Sequence, residues 1–450
     1  MSTKHPPRRP RPKLVRAEGM RVWDSEGRRY LDATSGAFCM QLGYTRPDLS
    51  AAMAEAACSL PHARPSLFDS DAACLYREDL LRAAGPPFTR VLLASSGSEA
   101  VEIAMKIAWC WQRARGAADR RSVLSLSGHY HGSTLAALDA TGWTERRAPY
   151  RQWLTERAFG PAAHCARCFR GLTHPSCGLA CADAALDQAE TAAALLAETV
   201  PAAGLAAAVP PKGWLERIRA RCDDAGALWI ADEVLTGFGR TGALFAWSRL
   251  AERDGVDVAP DLVVFGKGAA AGFYPVSGVL VSARIAEALD SGATPFRHAQ
   301  TFGGSPVGAA VARRALAAYV SEGIWERVRG AEAAAARAFE PLRACEPVMD
   351  VRGIGFLWGV ELAGPGPERA PFSRAGAARQ VEAACRARGV LIHAASGFLP
   401  DGRGDALLVA PPLVAELSDL ETIAAALRES IEAAIPSAGR RAWVEEWEDR

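Results

Sequence analysis

Lys267 lies between two glycines, directly after the apolar run Leu262–Phe265, in the stretch PDLVVFGKGAAAGFYP. A lysine becomes a nucleophile when burial lowers its pKa, because only the neutral amine attacks a carbonyl carbon. Ligand sites of open α/β sheets lie at the carboxyl ends of strands, and the glycines Gly266 and Gly268 let a flat ligand approach the backbone. The pattern favours a lysine that binds a carbonyl compound covalently, although most lysines at strand ends are solvated.

Asp232 ends a second apolar strand, in ALWIADEVLTGFGRTG, 35 residues before Lys267. A buried carboxylate is costly unless it is paired. Pyridoxal phosphate requires such a carboxylate against its ring nitrogen, so that the protonated ring withdraws electrons. Val234, two residues on, projects to the same side and could pack against a ring face. The alternative for Asp232 is a helix-capping role.

Ser96 and Glu99, in LLASSGSEAVEIAMK, have the spacing of a capping box, which predicts a helix N-terminus directly after a strand. Gly97 and Ser98 would then offer backbone N–H groups and a hydroxyl to an anion such as a phosphate.

Two further loops carry candidate ligand-binding side chains. Tyr130 and His131, in SGHYHGST, follow a strand and precede a glycine, so an aromatic ring there could stack on a cofactor. Thr301, in HAQTFGGSP, lies on a glycine-rich loop, from which its hydroxyl could reach a phosphate.

The elements around these residues alternate between apolar strands and amphipathic helices from about residue 90 onward. This alternation predicts an α/β fold with a mostly parallel sheet covered by helices on both faces. MRVWDSEGRRYLDATSG predicts an N-terminal hairpin, and RGIGFLWGVEL and GVLIHA predict later strands. We expect these to form a smaller α+β domain from residues 1–60 and 311–450, with a large cofactor-binding domain over residues 61–310.

Composition excludes several functional classes. The chain has 450 residues with 52 basic and 51 acidic side chains, so nothing indicates nucleic acid as a partner. No apolar run is long enough to cross a membrane, and the basic, proline-rich start has no apolar segment typical of a secretory signal. We therefore expect a cytoplasmic protein with a solvated N-terminal arm and eleven mostly reduced cysteines.

Together, SSGSEAVE, YHGST, ADEVLTGFGRTG, FGKGAAAGFYP and TFGGSP resemble the class III (ω-) aminotransferases, in that family's order. The resemblance extends over most of the chain and implies the fold type I of PLP-dependent transferases, with a sheet of the seven-stranded type. It implies pyridoxal 5′-phosphate as cofactor, an amine donor, a keto or aldehyde acceptor, ping-pong kinetics and a homodimer with active sites at the interface.

The resemblance also implies a role for each candidate residue. Lys267 would bind the cofactor aldehyde and move the substrate proton, and Asp232 would pair with the ring nitrogen. The residues implied to contact the cofactor otherwise are Tyr130 and Val234 at the ring faces, His131 beside them, Gly97 and Ser98 at the phosphate, Thr301 from the partner subunit, and Glu198, which stands where the family usually has Glu-Pro-Val.

The chain departs from the family in GDALLVAPPLV. Many members carry an arginine three residues before the paired prolines, where it binds a substrate carboxylate, whereas this chain has Leu408. We expect that one substrate presents no α-carboxylate there, as in a primary amine, an ω-amino compound or an amino sugar. Arg403 on a nearby loop could substitute for the arginine. Phe38 resembles a pocket-lining aromatic of the family, with core packing as the alternative.

Four cysteines are clustered in HCARCFRGLTHPSCGLACA, namely Cys165, Cys168, Cys177 and Cys181. Their spacing is close to that of structural zinc sites, but the segment is rich in alanine, so reduced thiols that simply pack are the alternative.

Two other functions compete with transamination. An aminomutase, racemase or decarboxylating transaminase could use the same fold and cofactor, because the fold does not decide the reaction. A non-catalytic relative that serves as a binding partner is the alternative of another class. Richness in alanine and arginine suggests secondary metabolism as a setting.

Overall fold

The structure is a computed structural model that describes residues 12–187, 189–291, 295–364, 366 and 368–435. The predicted N-terminal arm falls largely on residues 1–11, outside the described residues. The strands are β1 (Leu14–Glu18), β2 (Arg21–Asp24), β3 (Arg29–Asp32), β4 (Phe88–Ala94), β5 (Ser122–Ser125), β6 (Ala192–Glu198), β7 (Leu228–Asp232), β8 (Leu262–Phe265), β9 (Ser277–Ser282), β10 (Val348–Ile354), β11 (Leu357–Leu362), β12 (Val390–Leu391), β13 (His393–Ser396) and β14 (Asp405–Val409).

The helices connect these strands and cover the sheets. They are α1 (Ser35–Phe38), α2 (Pro47–Ser59), α3 (Asp71–Ala84), α4 (Gly97–Ala114), α5 (Leu135–Ala140), α6 (Thr144–Arg147), α7 (Ala180–Ala184), α8 (Trp214–Ala225), α9 (Ala246–Asp254), α10 (Ala283–Asp290), α11 (Pro306–Ser321), α12 (Ile324–Phe339), α13 (Ala377–Ala387) and α14 (Leu417–Ala434). Short 3-10 turns lie at Ala148–Trp153, Cys165–Arg167, Ala189–Thr191, Lys267–Ala270 and Glu340–Ala344.

The large sheet has six strands among the described residues, in the order β4-β9-β8-β7-β6-β5. Strands β5 to β8 are parallel and β9 is antiparallel to both of its neighbours, so the mostly parallel sheet is confirmed. The expected seventh strand is reduced, in the part that the structure describes, to one parallel bridge between Leu126 and Gly160. Pro161 follows Gly160, and a proline has no N–H with which to continue a strand ladder.

Each central strand is buried on both faces, as parallel sheets require. Along β7, Trp229 belongs to one core cluster and the next residue, Ile230, to the other, because successive side chains point to opposite faces. Amphipathic helices close both clusters, which explains why the strand sequences are continuous apolar runs without alternation.

Two smaller sheets form the rest of the molecule, in the orders β1-β2-β3-β12 and β10-β11-β14-β13. The predicted N-terminal hairpin is present, and β3 pairs in parallel with β12 through Leu31 and Val390. The N-terminal hairpin therefore pairs with the C-terminal part of the chain, as expected. The exact division into residues 1–60, 61–310 and 311–450 stays a prediction.

The stretch RGIGFLWGVEL, predicted as one strand, instead contains the end of β10, a tight turn and all of β11. The antiparallel pairing of the two strands closes at Ile354 and Leu357, around Gly355 with φ +57°. A β-carbon on Gly355 would lie 2.7 Å from the Arg240 carbonyl oxygen, so this tight turn requires glycine. No described helix has the length and apolar character needed to cross a bilayer.

Candidate active site

The carboxyl ends of β6, β7 and β8 bring three of the predicted residues to one edge of the sheet. Glu198 is paired in register with Asp232, and Asp232 with Val264. Lys267 opens the 3-10 turn that follows β8, in a left-handed backbone conformation with φ +42°. Parallel strand ends thus place two carboxyl groups and one amine at the same edge, as the sequence predicts.

These side chains line a cavity of about 180 Å³. Its lining residues are Gly97, Ser98, Tyr130, His131, Gly132, Glu198, Ala203, Asp232, Val234, Leu235 and Lys267. Eight of the residues singled out from the sequence therefore share one cavity, although they come from five separate segments of the chain.

Lys267 makes no hydrogen bond or ion pair with any other described residue, and its Nζ lies 5.2 Å from the ring centroid of Phe38. Burial lowers the pKa of Lys267, while the nearby Asp232 and Glu198 act in the opposite direction. A lowered pKa increases the neutral fraction of the amine, which is the form that attacks a carbonyl carbon.

Asp232 is fully enclosed and uses both carboxylate oxygens. Its Oδ2 lies 2.7 Å from His131 Nδ1, and its Oδ1 accepts the N–H of Val234 at 3.1 Å. The helix-capping alternative does not apply, because the turn after Asp232 leads to Val234 at the cavity wall and the next helix, α9, begins only at Ala246. The cavity thus contains a held carboxylate suited to a protonated ring nitrogen.

Glu198 lies beside Asp232 and is also buried. It accepts the N–H of Tyr130 at 2.8 Å through Oε2 and the N–H of Ala202 at 3.2 Å through Oε1. Burial and the neighbouring Asp232 raise the pKa of Glu198 to about 8, against the opposing effect of those N–H groups and Lys267. One of the two neighbouring carboxyl groups therefore retains its proton near neutral pH.

The N-terminus of α4 forms another wall of the cavity. The capping box is present: Ser96 Oγ accepts the N–H of Glu99 at 3.3 Å, and Glu99 Oε2 accepts the N–H of Ser96 at 3.0 Å. A β-carbon on Gly97 would lie only 2.9 Å from Val234 Cγ1, so the backbone closely approaches Val234. This end of the helix has the positive dipole and free N–H groups that bind anions.

Aromatic side chains pack around the site near Lys267 and Tyr130. Tyr130 packs edge-on against Trp143, with ring centroids 6.1 Å apart, and Phe38 packs edge-on against His393 at 5.3 Å. Leu408 in β14 is fully buried and stands opposite His393 in the strand pairing. Core packing alone therefore does not describe Phe38, since its ring also contacts the amine of Lys267.

Thr301 and Arg403 do not join this cavity. Thr301 is exposed and lines a different cavity, of about 710 Å³, together with His62, Arg77 and Gln300. Arg403 pairs with Asp401, its Nε donating to Oδ2 at 2.7 Å, on the loop between β13 and β14. Their predicted roles therefore require a partner subunit in the first case and a loop movement in the second.

A class III aminotransferase family model matches residues 6–431, nearly the whole chain. The chain belongs to the class III aminotransferases. It is 34% identical to the protein named "Probable aminotransferase Rv3329" of Mycobacterium tuberculosis, over 93% of this chain and 89% of that one. It is 32% identical to the omega-aminotransferase of Caulobacter vibrioides, over 92% of each chain.

Solved structures agree with this assignment. A thermostable (S)-enantioselective omega-transaminase from Thermomicrobium roseum is 31% identical, with a TM-score of 0.82 over 96% of both chains. The omega-transaminase of Pseudomonas jessenii in complex with PMP is 25% identical, with a TM-score of 0.85 over 96% of this chain and 94% of that one. The PLP-dependent transaminase fold expected from the motifs is thereby confirmed.

Class III aminotransferases use pyridoxal 5′-phosphate, and the residues of this chain fit that cofactor. A free amine, an enclosed carboxylate and a helix N-terminus line one cavity. Gly97 lets the first turn of α4 approach Val234 closely, because a β-carbon there would lie 2.9 Å from Val234 Cγ1. When bound, the cofactor supplies an aldehyde group and a protonated heteroaromatic ring that withdraws electrons.

Sequence reasoning missed three residues around this site, which are His129, Trp143 and His393. His129 is buried beside His131, while Trp143 and His393 contact Tyr130 and Phe38. A signal for His129 was present, because residues two apart on an extended segment point to the same side. Trp143 and His393 could not be found in this way, since they reach the site only through tertiary packing.

The four clustered cysteines line one small cavity, of about 20 Å³. Among the described residues, no group of three or more His, Cys, Asp and Glu is arranged to hold a metal ion. Burial raises the pKa of Cys165, and that of Cys181 to about 11, so these two thiols are protonated near neutral pH. The zinc site therefore stays a prediction, and the described residues show no ligand arrangement that supports it.

The cysteine-bearing segment is attached to the small sheet by buried charges. His164 Nε2 lies 2.7 Å from Glu361 Oε2 on β11, and Arg167 also binds this carboxylate. Arg352 on β10 pairs with it at 2.7 Å. These cations hold the pKa of Glu361 well below its usual range, although burial acts in the opposite direction. The cysteine-bearing segment is thereby attached to the sheet that contains β10 and β11.

Proposed function

We propose that this aminotransferase takes its amino group from a primary amine, an ω-amino compound or an amino sugar and transfers it to a keto or aldehyde acceptor by a ping-pong mechanism. Lys267 would hold the cofactor aldehyde and, once the donor amine has replaced it there, would move the proton of the donor carbon as a neutral amine. Asp232, oriented by His131, pairs with the protonated ring nitrogen.

The other cavity residues hold and orient the cofactor. Gly97 and Ser98 at the N-terminus of α4 bind its phosphate, and Tyr130 and Val234 contact its ring. Glu198 lies near the ring as a protonated acid, which limits the negative charge beside Asp232. This complete set of cofactor-contacting residues argues against a non-catalytic relative. Burying the polar and charged groups of the site costs free energy unless a bound cofactor pairs with them.

The substrate class rests on one observation, the buried Leu408 at the position where many family members have a carboxylate-binding arginine. The rings of Phe38, Trp143 and His393 lie near Lys267 and Tyr130. The pKa of His393 is lowered to about 4, chiefly by burial, so this ring is neutral at physiological pH. These neutral rings suit an amine donor with an apolar or uncharged substituent better than a donor with an α-carboxylate.

Matched donors test this proposal. We expect 2-phenylethylamine and 1-aminopentane to convert the bound cofactor at least about tenfold faster than phenylalanine and norleucine, because the carboxylates of the latter pair lack a charge-assisted partner. The measurement is the single-turnover change in cofactor absorbance. Faster reaction of the α-amino acid in both pairs would contradict the proposal.

Two controls identify the source of any residual activity. In Arg403→Ala, a loss confined to the two amino acids would mean that Arg403 binds their carboxylate after a loop movement.

Amino transfer must also stop without an added acceptor after one turnover, because mutases and racemases need none. The cytoplasmic location and the role in secondary metabolism stay predictions from the sequence.

A further inference from the structure

Two buried histidines stand behind the cavity carboxylate, on the extended segment that follows β5. His129 and His131 are 1% and 3% exposed, and their ring centroids are 6.0 Å apart. In both rings Nε2 is buried and has no hydrogen-bond partner among the described residues. Two unpartnered ring nitrogens so close together are unusual, because buried polar atoms are nearly always hydrogen-bonded.

The other nitrogen of each ring fixes where the protons lie. His129 Nδ1 accepts the backbone N–H of Glu198 at 3.0 Å, so the proton of this ring is on Nε2. Burial keeps the pKa of His129 well below its usual value, and the ring is neutral. His131 Nδ1 lies 2.7 Å from a carboxylate oxygen of Asp232, which can only accept, so Nδ1 carries a proton.

A lone pair on His131 Nε2 would make the two unpartnered atoms complementary, one a donor and the other an acceptor. A direct bond of about 2.9 Å would bring the ring centroids to roughly 5 Å, closer than observed. One buried water, hydrogen-bonded to both nitrogens, fits the longer separation, and buried waters typically satisfy groups of this kind.

We propose that His129 is a positioning residue, which donates through one buried water to His131 and thereby holds His131 in the form that donates to Asp232. This proposal rests on the role of Asp232 in the proposed function. A fixed donor on His131 orients the Asp232 carboxylate, as pairing with a protonated ring nitrogen requires. Without His129, only Asp232 would favour the proton on Nδ1, so part of the His131 population would be protonated at Nε2 and Asp232 would lose its donor in that part.

Two variants of similar size separate the atoms involved. The amide of Asn reaches the Nδ1 position of His129 and can still accept the Glu198 N–H, but leaves nothing at Nε2. The amide nitrogen of Gln reaches the Nε2 position and retains a donor there. His129→Asn therefore removes only the proposed link, and His129→Gln restores it.

The measurement is histidine ¹⁵N NMR of the cofactor-free protein, with the His131 signals assigned by their loss in His131→Asn. We expect wild type and His129→Gln to show His131 protonated at Nδ1 alone, and His129→Asn to show a mixture of both forms. Cofactor affinity, measured by fluorescence titration, is expected to fall about tenfold in His129→Asn and less than threefold in His129→Gln.

Several outcomes overturn the proposal. One is a wild-type spectrum in which His129 is protonated at Nδ1 or His131 at Nε2, which needs no variant to fold. Others are unchanged His131 signals in His129→Asn, or equal loss of affinity in both variants. Because these measurements involve no substrate, they are independent of the donor and acceptor chemistry on which the proposed function depends.

Discussion

Burial changes the proton affinities of Lys267 and Glu198 in opposite directions within one cavity. It disfavours the charged form of each, so the pKa of the amine falls and the pKa of the carboxyl group rises to about 8. Both pKa changes favour catalysis. The amine of Lys267 must be neutral, and a second ionised carboxylate beside Asp232 would repel Asp232.

Replacing Glu198 with Gln tests this raised pKa through stability. Because the pKa of Glu198 rises from 4.5 in the unfolded chain to about 8, its contribution to stability is complete below pH 4.5 and is lost as the pH rises toward 8. The expected loss is at most about 1.4 kcal/mol per pH unit in wild type and absent in Glu198→Gln. Urea midpoints of the cofactor-free proteins at pH 5.5 and 8 measure it.

The control is the exposed Glu429, which pairs loosely with Arg388 at 3.4 Å. Glu429→Gln should retain the wild-type pH dependence, because exposed pairs contribute little. If Glu198→Gln lost stability between the two pH values as steeply as wild type does, the carboxyl group would already be ionised at pH 5.5.

At the level of residues, the sequence was informative where a side chain has an unusual neighbourhood along the chain. Lys267 between glycines and Asp232 at the end of an apolar strand could be predicted for that reason. His393 could not, because its place beside Phe38 depends on the pairing of β13 with β14. Local sequence patterns identify side chains that a single strand places at the site. The position of other side chains, such as His393, depends on which strands pair.

At the level of elements, the junction of β4 and α4 forms the anion-binding wall. The capping box fixes the first turn of α4, and Gly97 in that turn packs against Val234 from the β7 end. Since a side chain at Gly97 would overlap with Val234, these two elements can approach closely only if residue 97 is glycine.

Replacing Gly97 with Ala should displace this turn from Val234. The added β-carbon would lie 2.9 Å from Val234 Cγ1, so one of the elements must shift. We expect cofactor affinity to fall about tenfold, because a displaced helix N-terminus loses hydrogen bonds to the phosphate. The double variant with Val234→Ala creates space and should recover part of the loss, as measured by fluorescence titration.

Gly330 in the middle of α12 provides the matched control, since a β-carbon there meets nothing within 4 Å. Gly330→Ala should leave affinity unchanged and slightly raise stability, because alanine favours helices. A Gly97→Ala variant that binds the cofactor as tightly as wild type would show that the phosphate does not depend on this turn.

Element types were predictable from the sequence, but two details were not. The long apolar stretch RGIGFLWGVEL gave no sign that it folds back at Gly355, because glycine also occurs within strands. The reduction of a seventh strand to one bridge at Gly160 depends on the proline after it. In both places a single residue with special backbone properties overrides the apolar pattern.

At the level of the whole molecule, two predicted cofactor ligands are separated. Lys267 lines the 180 Å³ cavity, whereas Thr301 is exposed at the 710 Å³ cavity on another face. A homodimer in which each Thr301 completes the partner's site would account for both positions. We therefore propose that the enzyme binds its cofactor only as a dimer, a state that the sequence could suggest by resemblance but not derive.

Complementation between two variant protomers tests this arrangement. Thr301→Ala should weaken cofactor binding about tenfold by removing a hydrogen bond to the phosphate, and Lys267→Ala should abolish transamination. In a mixed dimer of the two variants, the protomer that retains Lys267 receives an intact Thr301 from its partner. Purified with two different affinity tags, this mixed dimer should show wild-type cofactor affinity and about half the wild-type activity per dimer. If Thr301 instead served its own protomer, the mixed dimer would retain the weakened affinity of Thr301→Ala at its one site with a lysine.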